Sequence, residues 1–325
     1  MTKTIAIIGS TGQQGGAVAK AMLKVDGWKV RGITRNVNGR GAQALASEGA
    51  EMVTADIDDV ESMTKAFEGV QAVFCVTNFW EHLGRGLDAD VAGEKEASQA
   101  FSIALAASKV STLEHYVFST LPSALDLTKG QRPVPHMDHK ARVDDRIRKQ
   151  LPELASKTTF VWLGWYAANM ASDVMALIRP IELPKSGGKY IWMQPSKPDA
   201  LLPICGDVGV NVGVYVRAAL EHPDKSRGKY VYVRTDRLSF PDILKIWSEV
   251  SGRDAEYVPI SPHAFEALWG PGGKEMAMQY QSGELWDDWD TLKPDEVCTP
   301  EELGIKSEEL VGLKQELEMS KLKLL

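Results

Sequence analysis

IAIIGSTGQQGGAVAKAML (residues 5–23) joins an apolar run to a helix-spaced run through glycines at positions 9, 12 and 15. After a first strand the chain must turn sharply, let a phosphate approach its backbone, and pack a helix closely on the sheet. Gly9, Gly12 and Gly15 meet those three needs in turn. The helix start then offers unpaired N–H groups and the positive end of its dipole to a pyrophosphate. Ser10, Thr11, Gln13 and Gln14 are placed to add side-chain contacts. Glycines at this spacing are weak evidence alone, but here they stand in the required strand–turn–helix context.

Working outward, the same rhythm repeats. "TIAIIG", "WKVRGIT", "AEMVTAD", "AVFCVT", "HYVFST" and "TTFVWLGW" read as buried strands. Between them "GGAVAKAMLKV", "DVESMTKAF" and "EKEASQAFSIALAAS" carry apolar residues at helical spacing. The alternation predicts an α/β fold, a doubly wound parallel sheet of Rossmann type, with a smaller, mainly C-terminal substrate or lid domain. The expected nucleotide-binding domain spans 1–160 plus about 200–235. The lid takes about 161–199 plus 236–325. After about residue 165 the rhythm breaks: "RPIELPKSGGKYIWMQPSKPD" reads as loop or hairpin, "DVGVNVGVYVRAALEHP" as a helix and "KYVYVRT" as a strand. Ser239, Ser261 and Thr299 read as helix starts.

Composition bounds the function. The chain has 325 residues and a net charge of −7, which disfavours broad electrostatic affinity for nucleic acid. No apolar run is long enough to span a membrane, and the N-terminus enters a strand pattern directly, without a signal peptide. Cys75, Cys205 and Cys298 are scattered and read as reduced thiols of a cytoplasmic protein.

The end of the second strand selects the nucleotide. An acid there would bond the ribose hydroxyls of NAD; this chain has Arg35, with Arg40 close behind, which suits the 2′-phosphate of NADP. Asp56 and Ile57, after the third strand, could flank the adenine, or Asp56 could cap the helix that begins near Asp58.

These pieces, with "GSTGQQGG", "VRGITRN", "ADIDD", "VFCVTNFWE", "YVFSTL", "HMDHKARVDDRIR" and "WLGWYAANM" in order, resemble the NmrA-like family. That family comprises atypical short-chain dehydrogenase/reductases related to isoflavone reductases. The resemblance covers roughly residues 3 to 235 and implies a Rossmann domain binding NADP(H). It also implies a site near Thr77, Asn78 and Phe79 beside the nicotinamide ribose. Lys140 would touch that ribose, and Tyr166 and Asn169 would line the cleft beyond strand six. Some relatives reduce small molecules; others bind dinucleotide without turnover and regulate a protein partner.

Ordinary short-chain dehydrogenases use Tyr-x-x-x-Lys on a helix, the tyrosine giving a proton to the substrate. Here the stretch is "HMDHK". His136 replaces the tyrosine, and its four-residue spacing puts it on one helical face with Lys140, Val143 and Ile147. His136 can serve as proton donor or simply pack at the helix start. Ser119 stands where the ordinary family keeps a catalytic serine, and Tyr166 completes the catalytic candidates. Asp138 is read as solvated. His136 and His139 lack further ligands for a metal.

Seven of the nine tryptophans lie at or beyond Trp162. Two or more of Trp80, Trp165, Trp192 and Trp269 are expected to face the cleft, giving flat apolar walls for an aromatic substrate; Trp247 reads as lid core. Asp287, Asp288 and Asp290 read as an acidic surface turn. The leading functional expectation is NADPH-dependent reduction of a hydrophobic aromatic or nitrogen-containing small molecule of imine or iminium type. The alternatives are a non-redox iminium cyclisation with NADP(H) as pocket wall, and a catalytically silent NADP(H) sensor acting on a protein partner.

Overall fold

The computed structural model describes residues 2–171 and 176–320. The expected strands form as β1 (Lys3–Ile8), β2 (Trp28–Thr34), β3 (Glu51–Thr54), β4 (Ala72–Cys75), β5 (His115–Thr120) and β6 (Thr158–Leu163). Shorter strands follow: β7 (Trp165–Tyr166), β8 (Ile181–Glu182), β9 (Tyr190–Gln194), β10 (Leu201–Gly206), β11 (Tyr230–Val233), β12 (Asp236–Ser239), β13 (Ala255–Pro259) and β14 (Val297–Cys298). The main sheet is parallel throughout, in the order β14-β11-β6-β5-β4-β1-β2-β3. The order reverses between β1 and β4, which opens a crevice at the carboxyl ends of the strands.

The longer helices are α1 (Gln13–Met22), α2 (Arg40–Ser47), α3 (Val60–Ala66), α4 (Phe79–Gly84), α5 (Ala89–Ser108) and α6 (Pro135–Gln150). They continue with α7 (Val208–Glu221), α8 (Phe240–Ser251), α9 (Pro262–Ser282) and α10 (Leu313–Met319). Successive strand residues point to opposite faces, so a strand buried on both must be apolar throughout. In β1, Ala6 and Ile8 pack with α3, α5 and α6, while Ile5 and Ile7 pack with α1, α2 and α7. Gly213 lets α7 meet α1: a Cβ there would lie 2.6 Å from the Ala17 carbonyl oxygen.

The Pro- and Gly-rich stretch after residue 178 forms the antiparallel pair β8–β9, joined by β13. A second small sheet orders β12-β10-β7. Trp192, Phe240, Trp247, Phe265 and Tyr280 share a core beneath them. Ser239 and Ser261 cap α8 and α9 as read from the sequence. Thr299 closes its capping box with Glu302, but around a single turn: Gly304, at φ 67°, ends it before a helix forms. Val297–Cys298, in a stretch expected to belong to the lid, returns to the main sheet and covers the edge of β11.

α9 is bent. Gly270 (φ 64°, ψ −150°) and Pro271 interrupt it, because proline supplies no N–H to the preceding turn. The first arm carries Phe265 into the lid core; the second carries Met276 and Gln279 to the crevice and Glu275 to the start of α6.

Candidate functional site

A cleft of about 790 Å³ runs along the carboxyl ends of the strands. It gathers every cofactor residue read from the sequence except Ser10: the loop 9–15, Arg35, Asp56, Ile57, Thr77, Asn78, Phe79, Lys140, Tyr166 and Asn169. His136 and Ser119 also line it.

The glycine loop has the geometry its spacing implies. Gly9 adopts φ +66°, and a Cβ on Gly15 would lie 2.3 Å from the Gly9 carbonyl oxygen. Gly12 is the N-cap of α1 and brings no capping side chain. The first backbone bond inside the helix is Gly16 N–H to the Gly12 carbonyl, at 2.9 Å. The amides of Gln13, Gln14 and Gly15 therefore find no backbone acceptor among the described residues and are available to an anion. A phosphate fits this cradle. Ser10 departs from expectation: it is fully buried, and its hydroxyl donates to the Ile33 carbonyl, fastening the loop to β2. Gln14 is committed as well. Ser119 Oγ donates to Gln14 Oε1 at 2.7 Å, and Gln14 Nε2 donates to the Tyr166 hydroxyl at 2.6 Å. Burial pushes the Tyr166 hydroxyl well above the usual phenol range, so it stays protonated at neutral pH.

At the open end, Arg35 Nη1 lies 3.1 Å from Glu81 Oε1, and Arg85 Nη2 lies 2.6 Å from the same oxygen. The hydrogen bond from Arg35 is the main cause that holds the Glu81 carboxyl below the usual range. Asp56 accepts from the Asp58 amide, while Asp59 caps α3. Asp56 is thus free of the capping role and lies on the cleft wall. Asn78 caps α4 by accepting from the Trp80 amide at 3.1 Å.

Mid-cleft, Lys140 Nζ donates to Glu96 Oε1 at 2.5 Å and to Thr77 Oγ1 at 3.0 Å. Glu96 is fully buried and was not foreseen. His136 is also held by an unforeseen acid. Glu275 Oε1 accepts from the His136 main-chain N–H at 2.9 Å and lies 2.7 Å from Nδ1. The imidazole rests against Phe79 and Trp80. Asp138 is not solvated: it is buried and accepts from Ser123 Oγ and from the amides of Leu125 and Val134. It ties the loop after β5 to the start of α6. His139 turns away from His136, toward Asp90 and Glu94 of α5.

Beyond Lys140 the cleft is lined by Trp80, Trp165 and Trp289, with Ile178, Met276 and Gln279 on the lid side. Trp80 and Trp165 answer the expectation of two aromatic walls. Trp192 is lid core instead, its Nε1–H donating to the Ile178 carbonyl, and Trp247 is lid core as read from the sequence. Trp289 was not singled out for the cleft. Asp288 pairs with Arg234 and Arg237 and accepts from the Tyr232 hydroxyl, and Asp290 lies 3.9 Å from Arg234.

The model of the NmrA-like family matches residues 1–308 of this chain. An NmrA-like family domain-containing oxidoreductase of Aspergillus hancockii is 29% identical over 264 residues, which are 80% of this chain and 76% of that one. NmrA, a negative transcriptional regulator solved in complex with NADP, superposes with a TM-score of 0.68 at 23% identity, over 91% of this chain and 95% of its own. The triphenylmethane reductase of Citrobacter sp., solved with NADP(H), gives 0.69 at 18% identity, over 99% and 100%.

Proposed function

The chain belongs to the NmrA-like family, and on that premise we propose that it binds NADP(H) and reduces a planar, largely apolar small molecule with a polarised C=N or C=O bond. The observation that carries the reading is the continuity of the cleft. It passes from the glycine loop and Arg35, past Lys140 and Thr77, into a chamber walled by Trp80, Trp165 and Trp289. A protein that only senses the dinucleotide needs no open chamber beyond the nicotinamide.

The roles follow from the chemistry of each group. The free amides of α1 and the backbone at Gly12 would hold the pyrophosphate. Arg35 would exchange its exposed contact with Glu81 for the 2′-phosphate. Asp56 and Ile57 would flank the adenine. Lys140, oriented by Glu96 and Thr77, would hold the nicotinamide ribose, and Asn169 and Tyr166 would bound the chamber. When bound, the reduced cofactor supplies the hydride; the protein supplies orientation and a dry, aromatic enclosure.

Titration calorimetry with NADPH and NADH, followed by absorbance of the reduced nicotinamide with aromatic imines and ketones, tests the reading. Tighter binding of NADPH with consumption of cofactor supports it. Binding without turnover on either class would favour the sensor, and product formed with oxidised cofactor would favour a non-redox cyclisation.

A further inference from the structure

Glu275 and His136 lie 139 residues apart in the chain and meet only because the bent α9 delivers the acid behind the start of α6. One carboxylate oxygen accepts from the main-chain N–H of His136 and lies 2.7 Å from its Nδ1. With Glu275 as the carboxylate, which can only accept, Nδ1 carries the proton. Nε2 then has the lone pair of the neutral ring and makes no hydrogen bond among the described residues. His136 lines the cleft. The rings of Phe79 and Trp80, with centroids 5.7 and 5.4 Å from the imidazole, fix its plane.

Burying this acid is costly. Glu275 is fully buried and its second oxygen has no partner. An apolar residue would pack there at lower cost, which points to a role for the charge itself. The charged groups facing the ring are few. Glu275 comes from α9. Lys140 lies one turn along α6, already bound to Glu96 of α5, and α4 contributes only the two aromatic rings.

We propose that Glu275 is a positioning residue that fixes His136 as the proton carrier of the site. The substrate is then a neutral C=O or C=N bond that gains a proton as it gains a hydride, and not a permanently charged iminium. This deepens the reductase reading and rests on it. The reduced cofactor would supply the hydride for the new C–H bond as the π pair moves to the heteroatom. The heteroatom takes the proton from Nε2 of the imidazolium. The neutral ring that remains keeps its Nδ1 proton on Glu275 and regains the other from water in the cleft.

Two neutral and cationic probes of one bicyclic frame separate the cases: 1-tetralone, whose oxygen must be protonated, and N-methyl-3,4-dihydroisoquinolinium, which needs hydride alone. With NADPH, Glu275→Gln is expected to lower kcat for the ketone about a hundredfold with KM within about threefold, and to leave reduction of the cation within about threefold. Equal losses on both probes, or wild-type turnover of the cation only, would overturn the proposal. Long-range proton–nitrogen NMR of the His136 ring supplies a readout that needs no substrate. The wild type should show Nδ1 protonated and Nε2 bare in the neutral ring, and Glu275→Leu should show a mixture. A wild-type ring protonated at Nε2 alone overturns the proposal whatever the turnover. Turnover of neither probe, with the expected ring signals, counts against the reductase reading and leaves the positioning role of Glu275 standing.

Discussion

The two ends of the cleft are built on opposite plans. At the cofactor end, residues 9–15 are consecutive and most of the work falls to the main chain: three free amides, one left-handed glycine, and a glycine that lets two backbone segments touch. At the chamber end the working groups are side chains brought together from distant segments, Lys140 with Glu96 and His136 with Glu275. Main-chain recognition tolerates change in side chains but not in backbone shape. Side-chain recognition tolerates backbone variation but fails when either partner is removed.

The sharpest way to break the comparison is Gly12→Val. A Cβ there meets little protein, its nearest neighbour being the Gly9 carbonyl oxygen at 3.3 Å, so the fold should survive while the branched side chain fills the phosphate cradle. Calorimetry should show no measurable NADPH binding, with thermal unfolding close to wild type. Normal binding would mean that the loop is not the phosphate site. At the other end, Lys140→Ala should act on stability first. It leaves the fully buried Glu96 without its cation, a loss of about 3–5 kcal/mol in denaturant unfolding. A change within about 0.5 kcal/mol would show that the pair is not a buried unit.

Arg35→Ala sits between these. Arg35 is exposed, and its pairing with Glu81 is worth little. The expected effect is therefore on cofactor choice: a loss of about 1.5–3 kcal/mol, some ten- to a hundredfold or more, in NADPH affinity with NADH unchanged. Equal losses for both cofactors would place the 2′-phosphate elsewhere. The smallest effect concerns Asp144, on the helix that serves both ends. Burial raises its carboxyl well above the ordinary value of 3.8, against weaker pulls from Thr120, Arg148 and Tyr230. The folded chain thus holds this proton more tightly than the unfolded chain. That contribution favours folding below about pH 4 and is lost progressively as pH rises toward the folded-state value. Asp144→Asn should raise the melting temperature by about 2–4 °C near neutral pH, with the gain shrinking to nothing in acid. A gain independent of pH would contradict the assignment.

The same contrast explains what the sequence disclosed. The alternation of β1 to β6 and the glycine loop are local patterns, and local patterns survive in one dimension. Lys140 was legible because a four-residue spacing places it on one helical face with His136. Their partners were less so. Glu96 offered a signal: a lone acid on the stripe of Ala92, Ala100 and Ile103, a position where a charge must find a counterion. Glu275 offered almost none, because Gly270 and Pro271 break the helical phase that would have placed it. Asp138 was misread for a related reason. Its position on α6, off the His136–Lys140 face, is correct, but only the loop that folds back with Ser123 and Leu125 buries it. A two-residue strand such as β14 lies below what periodicity can reveal.

The order of the main sheet also bears on how the molecule behaves at high concentration. Its two outer strands are its shortest or nearly so, four residues in β3 and two in β14. An outer strand is a template for pairing with another chain, and the number of ladder hydrogen bonds it can offer scales with its length. The six-residue strands β5 and β6, buried along their whole length, are held in the interior of the sheet, where no neighbouring molecule can add to them. The fold thereby keeps these segments out of reach of edge-to-edge aggregation.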